Sequence, residues 1–384
     1  MKRFPQLRFL LALAVCIFAP AKFLRAATPY LITNDDPGVS FFTVAPDGTL
    51  SLQQQVGIGG FGTVAGFFGA NRVVALNTGK QQCVYASSSS AGSISGILVS
   101  SLLVGGTASG SSTDSGASNG IGLAVNGTYL YASFVDSNTI GTFQLTSGCG
   151  LAFVNDVAVA GLAGGMINGM AIHGNIMVTT YTDGSIQSFD ISAGTPVAND
   201  DEQYSTATLT SQDATYPNSV DITSDGQFAI FGDTSTSQVI EVSDISSGKL
   251  TKTVVYKSKA SISSSNIMLS PDETLLYVVN TQGDTVSALN FNKATGQLSP
   301  GCTSNHITGE SANWSYLAGM GLISTSGNGG GVYVAEFGAP SSIAMVTLTT
   351  SGGKCSLREA SSSPFADTES QGLLSIGAFP PRSF

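Results

Sequence analysis

The stretch Ser270-Pro271-Asp272-Glu273-Thr274-Leu275-Leu276-Tyr277-Val278-Val279-Asn280 decides how this chain is read. A polar turn containing proline and aspartate runs straight into β-branched and aromatic residues, which is turn chemistry feeding a buried strand. Working outward, comparable runs recur as Leu31-Ile32-Thr33, Val84-Tyr85-Ala86, Leu130-Tyr131-Ala132, Met177-Val178-Thr179, Ala229-Ile230-Phe231 and Tyr333-Val334-Ala335. Centred on Ile32, Tyr85, Tyr131, Val178, Ile230, Val278 and Val334, they lie 53, 46, 47, 52, 48 and 56 residues apart. A four-stranded propeller blade has a period of about 40–50 residues.

Each unit reads as four strands. A first apolar strand, such as Ser219-Val220-Asp221-Ile222, is followed by a tight turn, Ser224-Asp225-Gly226. The recurring run is the second strand. A third alternates, as in Thr285-Val286-Ser287-Ala288-Leu289-Asn290-Phe291, and a glycine turn leads to an outer fourth. The ends are incomplete: Tyr30 starts at second-strand pattern, and Gly372-Leu373-Leu374-Ser375-Ile376-Gly377 is a first strand with nothing after it. The two ends therefore share a blade. The expectation is an all-β, seven-bladed β-propeller of four-stranded antiparallel blades, closed by the C-terminal strand pairing with the N-terminal three strands. Closure removes exposed sheet edges.

The 270–280 stretch, with Val44-Ala45-Pro46-Asp47-Gly48-Thr49-Leu50 beside it, resembles the repeat of the lactonase-like, YVTN-type propeller family. The resemblance spans nearly the whole chain after its N-terminal segment. It implies the propeller fold and, more weakly, the chemistry of 6-phosphogluconolactonases, which belong to that family beside many exported proteins of unassigned role.

Composition agrees with an all-β chain: 384 residues, 46 glycines and only 10% charged residues. Lys2, Arg3 and Arg8 precede the apolar run from Phe9 to Ala19, and Ala19-Pro20-Ala21 fits a cleavage site. Residues 1–27 read as an export signal and 28–384 as a single propeller domain, placing the protein in the periplasm or outside the cell. Cleavage removes five of the 15 basic residues and none of the 25 acidic ones. The strongly acidic remainder argues against nucleic acid and, after cleavage, against anionic membranes as partners. Cys83, Cys149, Cys302 and Cys355 remain, and three pairings stay open. With no C-x-x-C and no D-x-D-x-D-G loop, neither a metal nor another cofactor is expected.

Aligned units place Arg72, Ile121, Asn168, Asn218, Ser265, Gly319 and Gly372 at one position, where each inner strand begins. Arg72, Asn168 and Asn218, with Asn266 one step along, would ring the mouth of the central channel on the face where the chain enters each blade, here the top. They would bind a ligand there or, more plainly, cap backbone groups and hold ordered water. The second-to-third loops carry Asp35, Asp36, Asp136, Asp183, Asp233, Asp284 and Glu336, an acidic rim or ordinary turn residues. The connection after the sixth blade crowds His306, Glu310, Trp314 and Tyr316 into eleven residues. Trp314 and Tyr316 would stack on a flat ligand, and Glu310 and His306 are candidate catalytic bases.

Two functional classes follow. One is a binding propeller that grips a small molecule, glycan or protein on its top face. The other is a hydrolase of an unphosphorylated lactone or related ester. A phosphosugar is disfavoured, because only Arg72, Arg358 and Arg382 remain after cleavage and only Arg72 is assigned to the channel.

Overall fold

The turn that opens the sixth-blade repeat is closed by its own side chains. Ser270 Oγ donates to Asp272 Oδ1 (2.6 Å) and accepts the Leu275 amide (3.0 Å), while Asp272 Oδ1 accepts the Thr274 amide (3.2 Å). The fifth blade repeats this arrangement. Thr223 Oγ1 donates to Asp225 Oδ1 (2.7 Å) and accepts the Phe228 amide (3.0 Å). A Ser/Thr-x-Asp triplet thus satisfies backbone donors that the reversing chain leaves without partners, ending one strand and starting the next.

The computed structural model describes residues 29–36, 38–60, 71–78, 81–109, 120–200, 203–204, 217–233, 239–257, 264–281, 283–307, 316–323, 331–337, 341–351, 354–367, 371–379 and 381. These form seven antiparallel sheets. From the channel outward, blade 1 is Gln371–Phe379, Tyr30–Asp36, Gly38–Val44 and Leu50–Gly57. Blade 2 is Val73–Asn77, Gln82–Ser88, Ser93–Leu98 and Leu103–Ser109, and blade 3 is Gly120–Val125, Tyr129–Phe134, Thr139–Thr146 and Gly150–Ala158. Blade 4 is Ile167–His173, Ile176–Tyr181 and Ser185–Asp190 with a broken outer strand, Val197–Ala198 and Gln203–Tyr204. Blade 5 is Pro217–Ile222, Phe228–Asp233, Val239–Asp244 and Thr251–Lys257, and blade 6 is Ser264–Leu269, Leu275–Asn280, Thr285–Asn292 and Gln297–Thr303. Blade 7 is Tyr316–Ile323, Gly331–Phe337, Ser341–Ser351 and Lys354–Glu359, with Phe365–Asp367 covering the other end of its long third strand. Each inner strand lies beside the next round the full circle, Tyr316–Ile323 against Gln371–Phe379 included. The C-terminal strand pairs with Tyr30–Asp36, as the incomplete ends of the repeat require.

The core is divided the same way. Seven clusters of buried apolar residues each fill one gap between neighbouring blades, the seam between blades 7 and 1 among them. Successive residues of a second strand face opposite gaps. Leu276 and Val278 pack toward blade 5, whereas Tyr277 and Val279 pack toward blade 7. A strand buried on both faces reads as a continuous apolar run, which is why these runs stand out in the sequence. Two of the second-strand tyrosines also tie blades together. Tyr131 Oη donates to the Gly194 carbonyl (2.9 Å) in blade 4, and Tyr333 Oη donates to the Gly48 carbonyl (2.7 Å) in blade 1.

Two disulfides staple adjacent blades: Cys83–Cys149 joins blades 2 and 3, and Cys302–Cys355 joins the outer strands of blades 6 and 7. Among the described residues the only helix is a single 3-10 turn, Ser147–Cys149, and no helix is long and apolar enough to cross a membrane.

Candidate functional site

The inner strands break register at one level. The shift falls between Gly120 and Leu123, Ile167 and Met170, Pro217 and Ser219, Ser264 and Asn266, and Leu317 and Met320. In blade 1 it falls where residues 372–374 bridge Gln371 and Ser375. The aligned positions Ile121, Asn168, Asn218, Ser265, Gly319 and Gly372 all lie inside these irregularities. In blade 2, Arg72 immediately precedes Val73–Asn77. A bulge leaves a residue out of the ladder and re-aims its side chain, here where the strands converge on the channel. Packing at this level is close. A Cβ on Gly169 would stand 2.7 Å from the Asn218 carbonyl oxygen of the next blade. The amides of Gly122 and Gly169 are capped by second-strand hydroxyls, Ser133 Oγ (2.7 Å) and Thr180 Oγ1 (2.8 Å).

Three consecutive blades present a carboxamide from this level. Asn168, Asn218 and Asn266 are 5%, 5% and 6% exposed. Asn168 Nδ2 donates to Asn218 Oδ1, joining blades 4 and 5. Asn168 Oδ1 has no hydrogen-bond partner among the described residues. Carboxamides offer both donors and acceptors without charge, which suits hydroxyl and carbonyl groups.

Arg72 is fully buried. Nη1 donates to Ser89 Oγ (3.3 Å), and its amide donates to Ser375 Oγ of blade 1 (3.1 Å). Its carbonyl accepts from Asn34 Nδ2 (2.9 Å) and from the Ser87 amide (3.0 Å). Burial pulls the guanidinium down to about 10, so it stays cationic at neutral pH. Its backbone stitches blades 1 and 2, and its charge lies beneath the mouth rather than on its surface.

His306 is placed elsewhere. It follows the outer strand of blade 6, three blades round the ring from Arg72, and its side chain is 66% exposed. His306 Nε2 stands 3.3 Å from Asp284 Oδ2. Burial raises the Asp284 carboxyl above its usual value, partly offset by the imidazole. Asp284 occupies a left-handed turn position (φ 45°) that Asn138 (φ 52°) and Gly184 (φ 89°) fill in blades 3 and 4, the small polar or glycine residues such a turn accepts. Glu310 and Trp314 lie outside the described residues. Tyr316 begins the inner strand of blade 7, and its side chain is likewise outside the description.

The acidic rim divides. Asp136 is exposed, whereas Asp233 and Glu336 are buried at 1% and 2% exposure, and Glu336 accepts from Ser342 Oγ. Asp183 holds the loop entering blade 4: Oδ2 accepts the amides of Ala163 (2.7 Å) and Gly165 (3.0 Å). Asn138 assists, its Oδ1 accepting the Ile167 amide (3.0 Å). These anchors were not evident from the sequence, where both residues look like ordinary turn formers. Among the described residues no group of three or more His, Cys, Asp or Glu could hold a metal ion.

The model of the family described as "Lactonase, 7-bladed beta-propeller" matches residues 83–365. No curated protein matches the chain. Among solved structures, a functionally unknown protein from Desulfotomaculum acetoxidans is similar at TM-score 0.66 and 16% identity, covering 92% of this chain and 99% of its own. A candidate 6-phosphogluconolactonase from Bacteroides uniformis is similar at 0.65 and 15%, covering 91% and 99%. The periplasmic gluconolactonase of Pseudomonas aeruginosa is similar at 0.64 and 14%, covering 90% and 98%. At these identities the likeness is one of fold.

Proposed function

The chain belongs to the lactonase, seven-bladed β-propeller family, and from that premise we propose that it binds an uncharged, oxygen-rich small molecule of the lactone or sugar class at its channel mouth. The observation that carries this is the arc of Asn168, Asn218 and Asn266 on three consecutive blades. Each carboxamide is more than nine-tenths buried, yet Asn168 Oδ1 has no protein partner among the described residues. A buried polar atom without a partner costs stability unless water or a ligand satisfies it. The ligand is unphosphorylated: among the described residues Arg72 is sealed beneath the mouth and Arg358 is exposed on an outer strand, so neither arginine is presented to a phosphate at the mouth. Residues 1–27 act as an export signal, and the protein works outside the cytoplasm.

Hydrolysis of that ligand is the second reading, favoured by family membership and by the His306–Asp284 pair, in which a carboxylate orients an exposed imidazole. The test is calorimetric titration with glucono-δ-lactone alongside pH-stat assay of proton release. Asn218→Ala should weaken binding by about tenfold, the loss of one well-placed hydrogen bond with its partner left unsatisfied. Proton release that His306→Ala or Glu310→Ala abolishes would establish the hydrolase. Background release from every variant, with binding intact, would leave a binding protein. No heat of binding from any uncharged lactone or sugar would end the channel-mouth reading.

A further inference from the structure

The connection entering blade 4 runs from Val157 to Ile167 without one polar side chain, eleven residues in succession. Ala160, Leu162, Ala163, Gly164 and Met166 are exposed; Leu162 and Met166, the large ones, are 46% and 40% accessible. Single exposed hydrophobes are ordinary, but a continuous apolar surface on one loop is not.

The loop is also fixed. Seven successive amides, residues 161 to 167, each have an acceptor. Gly161 and Gly164 donate within the loop, to the Gly165 and Gly161 carbonyls (3.0 and 2.8 Å). Leu162 donates to Ser185 Oγ (3.2 Å), and Ala163 and Gly165 donate to Asp183 Oδ2 (2.7 and 3.0 Å). Met166 donates to Thr182 Oγ1 (2.9 Å) and Ile167 to Asn138 Oδ1 (3.0 Å). Side chains of two blades therefore hold the backbone so that apolar groups face water. A pre-organised apolar surface binds without a further ordering cost.

Its position suggests the occupant. Met166 is two residues from Asn168, so their Cα atoms are at most about 7 Å apart. The apolar loop thus borders the carboxamide arc directly. The acidic balance of the chain, 25 Asp and Glu against 15 Lys and Arg, disfavours an anionic lipid surface as the partner.

We propose that Leu162 and Met166 form an apolar subsite continuous with the channel mouth, selecting lactones or sugars that carry an alkyl or acyl substituent over unsubstituted ones. This inference rests on the channel-mouth reading above and specifies its ligand class.

The experiment is calorimetric titration of the purified chain with a matched pair, glucono-δ-lactone and its 6-O-octanoyl ester. The native chain should bind the ester at least about tenfold more tightly, a modest share of what burying several methylenes yields. Replacing both residues by serine (Leu162→Ser with Met166→Ser) should bring the ratio of affinities close to one. The conservative pair Leu162→Met with Met166→Leu should keep the preference, which separates a lost subsite from a damaged fold. Asn218→Ala should weaken both ligands. Equal affinities in the native chain, or a preference that survives the serine pair, would overturn the subsite while leaving the channel-mouth reading standing. An affinity for the octanoyl ester that Asn218→Ala leaves unchanged would also overturn it, by separating the apolar surface from the mouth. Failure of both lactones to bind sinks the channel-mouth reading and the subsite together.

Discussion

Asp183 shows how one side chain can organise a rim loop. Burial pushes its carboxyl up, but the hydroxyl and amide of Ser185 and the amides of Ala163 and Gly165 outweigh that and hold it below the usual 3.8. Because the folded value is depressed, the carboxylate stabilises the fold above the unfolded pKa, and that contribution is lost as pH falls through the folded value. Asp183→Asn should therefore cost about 1 kcal/mol at neutral pH, allowing for solvent screening of a partly exposed group. Urea unfolding of the two proteins should show the gap at pH 7 and its closure below pH 3.8. A gap that does not change with pH would mean that shape, not charge, holds the loop.

At the scale of the element, the inner strands matter most. Their bulges release Asn168 and Asn218 from the ladder, and the glycine after Asn168 lets the next blade approach. A methyl at Gly169 would meet the Asn218 carbonyl at 2.7 Å and Thr180 Oγ1 at 3.1 Å. The first is rigid backbone, and Thr180 Oγ1 cannot retreat without disturbing its cap on the Gly169 amide. Gly169→Ala should destabilise by roughly 1–3 kcal/mol, the usual cost of overpacking. It should also weaken lactone binding, since Asn218 would be displaced. Gly164→Ala makes the control, for nothing lies within 4 Å of its added Cβ although its φ of 83° carries its own strain. Equal ligand affinity in the Gly169→Ala and native proteins would separate the bulge geometry from binding.

Across the whole molecule, ring closure depends on one non-covalent seam. Gln371–Phe379 completes blade 1, and the disulfides staple blades 2 to 3 and 6 to 7 on either side of it. The bridges close segments of 66 and 53 residues. Chain entropy depends on the logarithm of loop length, so each should contribute about 4 kcal/mol, with a difference of only roughly 0.2 kcal/mol between them. Cys83→Ser with Cys149→Ser, and Cys302→Ser with Cys355→Ser, should shift the urea midpoint by nearly the same amount. Unequal shifts would show that native packing, rather than the unfolded chain, sets the larger effect.

What the sequence determined by itself is the part of the fold written in local chemistry. The Ser270-x-Asp272 turn closes on its own side chains, and Leu276 to Val279 announce a strand buried on both faces, so the repeat, the blade count and the shared first blade were all legible. The common level of Asn168 and Asn218 was legible too, because aligned repeats place them at equivalent points, but the bulges that free them from the ladder were not. Only the tertiary structure could choose one disulfide pairing of three, bury Arg72 beneath the mouth, pair Asn168 with Asn218 across 50 residues, and show Asp183 holding a loop from the neighbouring connection. All but the Asp183 anchor join different blades, and a repeat signature encodes each blade and its register while remaining silent about what faces it across the gap. Ring closure brings such residues together, and the side chains that meet there fix the site.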